Sequence, residues 1–200
     1  MMDYDIKSHL HEVLDTLPQG VRLVAISKYH PNEYIEAAYE EGQRVFGESH
    51  EQELRQKHQT LPLDIEWHFI GHLQTNKVKY IAPYVTMIEA VDSLKLLREI
   101  NKQAEKCGRR IKVLLELHIA EEATKYGLSL DACRELLAAG EWREMQTARD
   151  FFDEVKAQYF ANDEAFCERS WGMSDDYPIA LQTGSTMIRV GTKIFGPRVY

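Results

Sequence analysis

"RLVAISKYHP", residues 22–31, is an apolar run that ends on a lysine and is stopped by a proline. Bounded by Gly20 and Pro31, residues 21–27 read as a strand buried on both faces. In such a strand Val24, Ile26 and Lys28 share one face. The lysine then sits at the C-terminal tip, the end where parallel barrels build their active sites. An amine half-buried there loses hydration, which leaves more of it neutral and able to attack a carbonyl. A strand-end lysine that snorkels to water would occupy the same position. The rest of the chain has to decide between the two.

Working outward, strands alternate with helices. An amphipathic helix over 3–17 opens the chain, with Ile6, Leu10, Val13, Leu14 and Leu17 at helical spacing. After the first strand come helix 32–42, strand 44–48, helix 50–61, strand 65–71 and helix 76–84. Strand 86–91, helix 93–108, strand 111–119 and helix 129–140 follow. Strand 169–173, a short helix over 176–183 and strand 186–191 end the pattern. This alternation predicts parallel βαβ units. It yields seven strands, where a closed (β/α)8 barrel needs eight.

The count fails at one place. "EWREMQTARDFFDEVKAQYF" runs from the helix ending near Gly140 straight into another helix. A strand of about 5–6 residues should separate two such helices, and a barrel lacking that stave has two exposed edges. Either the sheet is open or a sixth strand is absent from this sequence near residues 143–147. Absence is the preferred reading, with a single domain spanning 1–200 and an N-terminal extra helix.

Composition bounds the function. The chain has 200 residues, and 24 basic against 32 acidic residues give a net charge of −8. That balance repels phosphate backbones and argues against nucleic acid. Cys107, Cys133 and Cys167 are far apart and odd in number, which suggests reduced thiols and a cytoplasmic location. The N-terminus carries acids and no apolar block, and no stretch is apolar enough to cross a bilayer.

Two C-terminal stretches bear on Lys28. In "WGMSDDYP" (171–178) Ser174 suits a helix N-cap, and it also suits an anion contact at a helix start. In "GSTMIRVGTKIFG" (184–196) a strand carrying Arg189 ends at Gly191-Thr192. Gly191 lets a phosphate approach its amide, and Thr192 adds a hydroxyl. Barrel phosphate sites often use the loops after the last two strands. Closure would place those strands beside Lys28. The matching ligand has an aldehyde at one end and a phosphate at the other: pyridoxal 5′-phosphate fits, and so does a phosphorylated sugar on an aldolase lysine.

The stretches "SKYHPNEYIEAAYEEGQRVFGESHEQE", "IEWHFIGHLQTNKVKYI", "VDSLKLLREIN", "KYGLS" and "WGMSDDYPIALQTGSTMIRVGTKIFGPRVY" closely resemble the family of pyridoxal phosphate homeostasis proteins. The resemblance runs in order over nearly the whole chain. It implies a single-domain (β/α)8 barrel like the N-terminal domain of alanine racemase. It implies pyridoxal 5′-phosphate held as a Schiff base on Lys28, phosphate contacts from Ser174, Gly191 and Thr192, and Arg189 against the pyridine nitrogen. It implies a carrier or regulator of vitamin B6 balance without established catalysis, serving cofactor-dependent apoenzymes.

Two departures stand out. The family has asparagine where this chain has Ser49, whose shorter side chain would reach the cofactor only through water. The family's sixth strand is missing where the strand count fails. Ile70 and His72 end their strand at the expected mouth and complete the candidate cofactor contacts. His68 and His72 share a face, but no third ligand joins them at metal-site spacing. Asn76 and Lys77 would begin the next helix, Lys125 would be a loop charge, and Tyr126 could line the mouth.

Arg189 against the ring nitrogen would discourage its protonation and weaken the cofactor as an electron sink. The chain ends at Tyr200, soon after its last strand, so no second domain is expected to supply an acid or base. The expectation is a monomer that holds and delivers cofactor, with an amino-acid racemase as the alternative.

Overall fold

A computed structural model describes residues 5–116, 148–175, 177–182 and 184–197. Helix α1 (Ile6–Leu14) buries Ile6, Leu10 and Val13 along one stripe, and the Asp5 carboxylate caps it by accepting the Ser8 amide at 3.0 Å. Strand β1 (Arg22–Ile26) leads to α2 (Asn32–Glu40), β2 (Val45–Glu48) to α3 (Glu51–Thr60), and β3 (Glu66–Phe69) to a 3-10 turn (Thr75–Lys77) and α4 (Val78–Ile81). Strand β4 (Met87–Val91) precedes α5 (Leu94–Lys106), which Ser93 caps and which buries Leu96, Ile100 and Ala104. Then come β5 (Lys112–Leu115), α6 (Ala148–Tyr159), α7 (Tyr177–Gln182), β6 (Met187–Val190) and the single turn α8 (Thr192–Phe195).

The described strands form one parallel sheet in the order β5-β4-β3-β2-β1-β6. The last strand therefore lies beside the first, paired Val24 to Arg189 and Ala25 to Val190. The sheet also curls. Four strand spacings of about 4.8 Å would hold β4 some ~19 Å from β6 in a flat sheet. Instead Met87 and Met187 share one cluster with Val24. Ser170, bridged to Met187, reaches Glu89 of β4 at 3.2 Å. That curvature is the barrel, and alternation sorts the side chains. Val24, Ile26, Val45 and Leu114 face the lumen, while Leu23, Ala25, Phe46, Trp67, Phe69, Ile88 and Ile188 pack outward with the helices.

One expected strand is corrected. Residues 169–173 form an extended segment with the single parallel bridge Ser170–Met187. Arg169 O accepts the Thr186 and Met187 amides, and Gly172 O accepts Arg189 N at 3.2 Å. A ladder on one side alone holds it among the described residues, and Gly172, at φ +93°, turns the chain away. The expected helix 129–140, the strand gap near 143–147, and Lys125 and Tyr126 lie outside the described residues. No helix among the described residues is long and apolar enough to cross a membrane.

Candidate functional site

At the tip of β1, Ser27 is fully buried and Lys28 half-buried. The Ser27 amide extends the ladder to Gly47 O at 3.1 Å. Tyr29 then turns with φ 65°, alone among described residues other than glycine in having a positive φ. Bulky side chains disfavour that region. Its amide donates to Glu53 Oε1 at 2.7 Å, which holds the turn in place.

Gly191 follows β6, directly beside β1. A Cβ built on it would lie 3.0 Å from Ile26 O and 3.1 Å from Ile26 Cβ. Glycine thus lets the two strands close up at the level of the mouth. Its amide donates to Ser174 Oγ at 3.2 Å, and its carbonyl accepts Ile194 N and Phe195 N to start α8. The next helix begins at Tyr177, and the Ser174 hydroxyl accepts the Gly191 amide of the β6 end. Thr192 is exposed at the same corner. Lys193 Nζ donates to Tyr177 Oη at 3.1 Å, and Tyr177 Oη lies 3.2 Å from Thr16 Oγ1. Those contacts tie the corner to α7 and to the end of the extra helix α1.

Arg189 occupies the lumen face two residues below Gly191. Its Nη1 donates to Ser170 O at 3.1 Å and to Ser170 Oγ, and lies 3.7 Å from Glu89 Oε2. Glu89 Oε1 pairs with His68 Nδ1 at 2.6 Å, and among the described residues nothing pairs with the buried His68 Nε2. The floor of the mouth is therefore a polar relay, His68–Glu89–Ser170–Arg189, beside the apolar lumen cluster of Val24, Met87 and Met187.

The rim is acidic on the far side. His72 Nδ1 meets Asp92 Oδ2 at 2.9 Å. Glu116, beyond β5, has its pKa raised by burial and by Asp92, against the opposing pull of Arg189 and His72. Ser49 is half-buried, with Oγ 3.1 Å from His50 Nδ1. Gly71 crowds it, since a Cβ there would lie 2.5 Å from Ser49 O. Ile70 is half-buried, and its amide continues the ladder to Glu48 O at 2.8 Å.

Ser174 and Gly191 are brought together at the end of β6, the strand paired with β1, and Thr192 follows Gly191 in the chain. Ile26, facing Gly191, is two residues below Lys28, a rise of about 7 Å. Ser174 and Gly191 thus lie at the end of the strand paired with β1, which leads into Lys28, and Arg189 lies on the lumen face below them. Sequence reasoning missed Glu89, Ser170, Asp92 and Glu116. Parity offered a signal for Glu89, a charge inside an apolar strand opposite a strand carrying His68. It also missed the cluster of Glu48, Glu53 and Lys57 behind β1, although Glu53 and Lys57 stand at helical i,i+4 spacing. Asn76 and Lys77 lie in the 3-10 turn before α4, with Lys77 Nζ 3.2 Å from Glu51. A groove of about 720 Å³ lies outside the barrel, lined in part by Tyr29, Tyr34, Glu53 and Lys57.

Comparison with known proteins places this geometry. The family model described as alanine racemase, N-terminal domain, matches residues 5–141. A pyridoxal phosphate homeostasis protein of Aquifex aeolicus is 34% identical, with 90% of this chain and 88% of that protein aligned. The alignment runs over 203 positions, so that relative has residues with no counterpart here. PipY of Synechococcus elongatus superposes with TM-score 0.83 at 33% identity without PLP, covering 96% of this chain and 100% of PipY. Its structure with PLP bound gives 0.81 at 31% identity and the same coverage. Alanine racemase from E. faecalis, at 14% identity and TM-score 0.66 over 97% of this chain and 58% of that one, shares the fold alone.

Proposed function

We propose, for a chain that belongs to the family of pyridoxal phosphate homeostasis proteins, that it holds pyridoxal 5′-phosphate on Lys28 and serves as a carrier or regulator of that cofactor. The observation that carries this reading is the pairing of β1 with β6, which sets the Ser174–Gly191 corner beside the strand that leads into Lys28. Lys28, once its amine is deprotonated, would condense with the aldehyde, forming a C=N bond and releasing one water. Ser174 Oγ and the Gly191 amide, which now satisfy each other, would both turn to a phosphoryl oxygen, with Thr192 adding its hydroxyl. Arg189, 3.7 Å from Glu89, would direct an N–H at the ring nitrogen, which would then accept a hydrogen bond instead of carrying a proton itself. Ser49, Ile70 and His72 would border the ring.

When bound, the cofactor supplies an aldehyde carbon that one amine can leave as another arrives, which is the chemistry a carrier needs. The recipients would be cofactor-dependent apoenzymes, and the protein would act as a cytoplasmic monomer of one domain. The test is a visible absorption spectrum with added pyridoxal 5′-phosphate for wild type and Lys28→Ala, followed by borohydride reduction and mass analysis. A Schiff-base band and a reduced adduct in wild type alone are expected. An equal band in both proteins, or none in either, overturns the assignment. Amino-acid racemisation lost in Lys28→Ala would favour an enzyme instead of a carrier.

A further inference from the structure

Behind the mouth, on the outer face of the sheet, a buried ion cluster grips the peptide on both sides of Lys28. The Lys57 side chain is only 6% exposed. Its ammonium donates to Ser27 O at 2.8 Å, to Glu48 Oε1 at 2.8 Å and to Glu53 Oε1 at 2.7 Å. Three protons meet three acceptors, so the group is saturated. Ser27 Oγ adds a bond to Glu48 Oε1 at 2.6 Å. The oxygen of Glu53 that binds Lys57 also accepts the Tyr29 amide at 2.7 Å.

Ser27 and Tyr29 are the two chain neighbours of Lys28. The cluster thus fixes a carbonyl just before it and an amide just after it. Tyr29 needs such a restraint, because φ 65° persists at a tyrosine only where its surroundings over-determine it. Orientation is what is at stake. In extended chain, neighbouring side chains point to opposite faces, so a backbone that slipped here would carry the amine away from the lumen.

We propose that Lys57, held between Glu48 and Glu53, is a positioning residue that locks the Ser27–Tyr29 backbone so that the Lys28 amine projects into the barrel mouth. The proposal rests on the reading of Lys28 as the cofactor-binding amine. A role confined to stability is the rival, and the two separate experimentally.

The informative variant is Lys57→Met combined with Glu48→Gln, since removing both charges strands no buried carboxylate; Glu53, 22% exposed, reaches water. Two readouts are taken on the full chain: hydrogen exchange of the Tyr29 amide without cofactor, and affinity for added pyridoxal 5′-phosphate from the visible band. Exchange about tenfold faster and affinity about tenfold weaker, at a cofactor-free Tm within a few degrees of wild type, are expected for loss of a charge-assisted bond. Wild-type affinity in the folded double variant overturns the proposal whatever the Tm. Should that variant not fold, Glu53→Ala removes the Tyr29 acceptor together with one of the three Lys57 acceptors: weaker affinity with faster exchange supports the proposal, and unchanged values overturn it. A wild-type protein with no band would sink the Lys28 assignment itself, while Tyr29 exchange still reports whether the backbone is clamped.

Discussion

Ser174 Oγ and the Gly191 amide lie 3.2 Å apart, although seventeen residues separate them along the chain. The contact joins the turn before α7 to the end of β6, and Gly191 leaves no room for a side chain against Ile26. A serine hydroxyl and a backbone amide meeting at a sheet's C-terminal edge form a two-donor anion corner once each gives up the other. The strand beside it, β1, leads within two residues to Lys28. The candidate function follows from that adjacency.

On the proposed reading, Ser174→Ala would remove one phosphate donor and touch nothing that an aldehyde needs. Affinity for pyridoxal 5′-phosphate is expected to fall about tenfold, the worth of one hydrogen bond to a charged group. Affinity for pyridoxal, which lacks the phosphate, should stay within about twofold of wild type. Paired titrations at the visible band check this. An equal loss for both ligands would mean that Ser174 does not contact the phosphate.

Gly71→Ala places a methyl group 2.5 Å from Ser49 O and 2.8 Å from Ser49 Cβ. Backbone cannot yield as a flexible side chain can, so a loss of about 1–3 kcal/mol is expected from overpacking. Urea denaturation measures it. Cofactor affinity should drop as well if Ser49 borders the ring, and a loss of stability without a change in affinity would remove Ser49 from the site.

Glu48 is a pH-sensitive point of the fold. Burial pushes its carboxyl up to about 7 from the usual 4.5, against the pull of Lys57 and the Ser27 hydroxyl. The fold thus favours the protonated form. The contribution to stability is complete below about pH 4.5 and is lost as pH rises through about 7. Glu48→Gln keeps an acceptor but cannot ionise. Relative to wild type it should gain stability between those pH values, by ~3 kcal/mol at most. Urea melts at pH 5, 6, 7 and 8 test this, and a gap that does not move with pH would show that the carboxyl titrates elsewhere.

Arg189→Leu leaves Glu89, whose side chain is 3% exposed, with His68 and Ser170 as its remaining partners. A loss of roughly 1–3 kcal/mol is expected, below the range for fully buried pairs because Arg189 is itself 26% exposed. Adding Glu89→Gln should recover part of it. If the double variant is less stable than Arg189→Leu alone, the guanidinium is not what balances Glu89.

The sequence by itself determined the alternation of strands and helices, the parallel sheet, and the placing of Lys28, Gly191 and Thr192 just past strand ends and of Arg189 within the last strand. Each of these follows from short-range physics: apolar runs between glycine and proline, period-two alternation, and glycine where backbone must come close. The mismatch at 169–173 had the same origin, because five residues can look like a strand whether or not a partner lies on either side. What only the tertiary structure decided is which residues meet across the lumen and across the sheet. The His68–Glu89–Ser170–Arg189 relay joins residues that curvature brings into contact, and the Lys57 cluster joins a helix to two strand ends. No local pattern encodes those distances, since a buried charge is stable only where the folded chain supplies its partners.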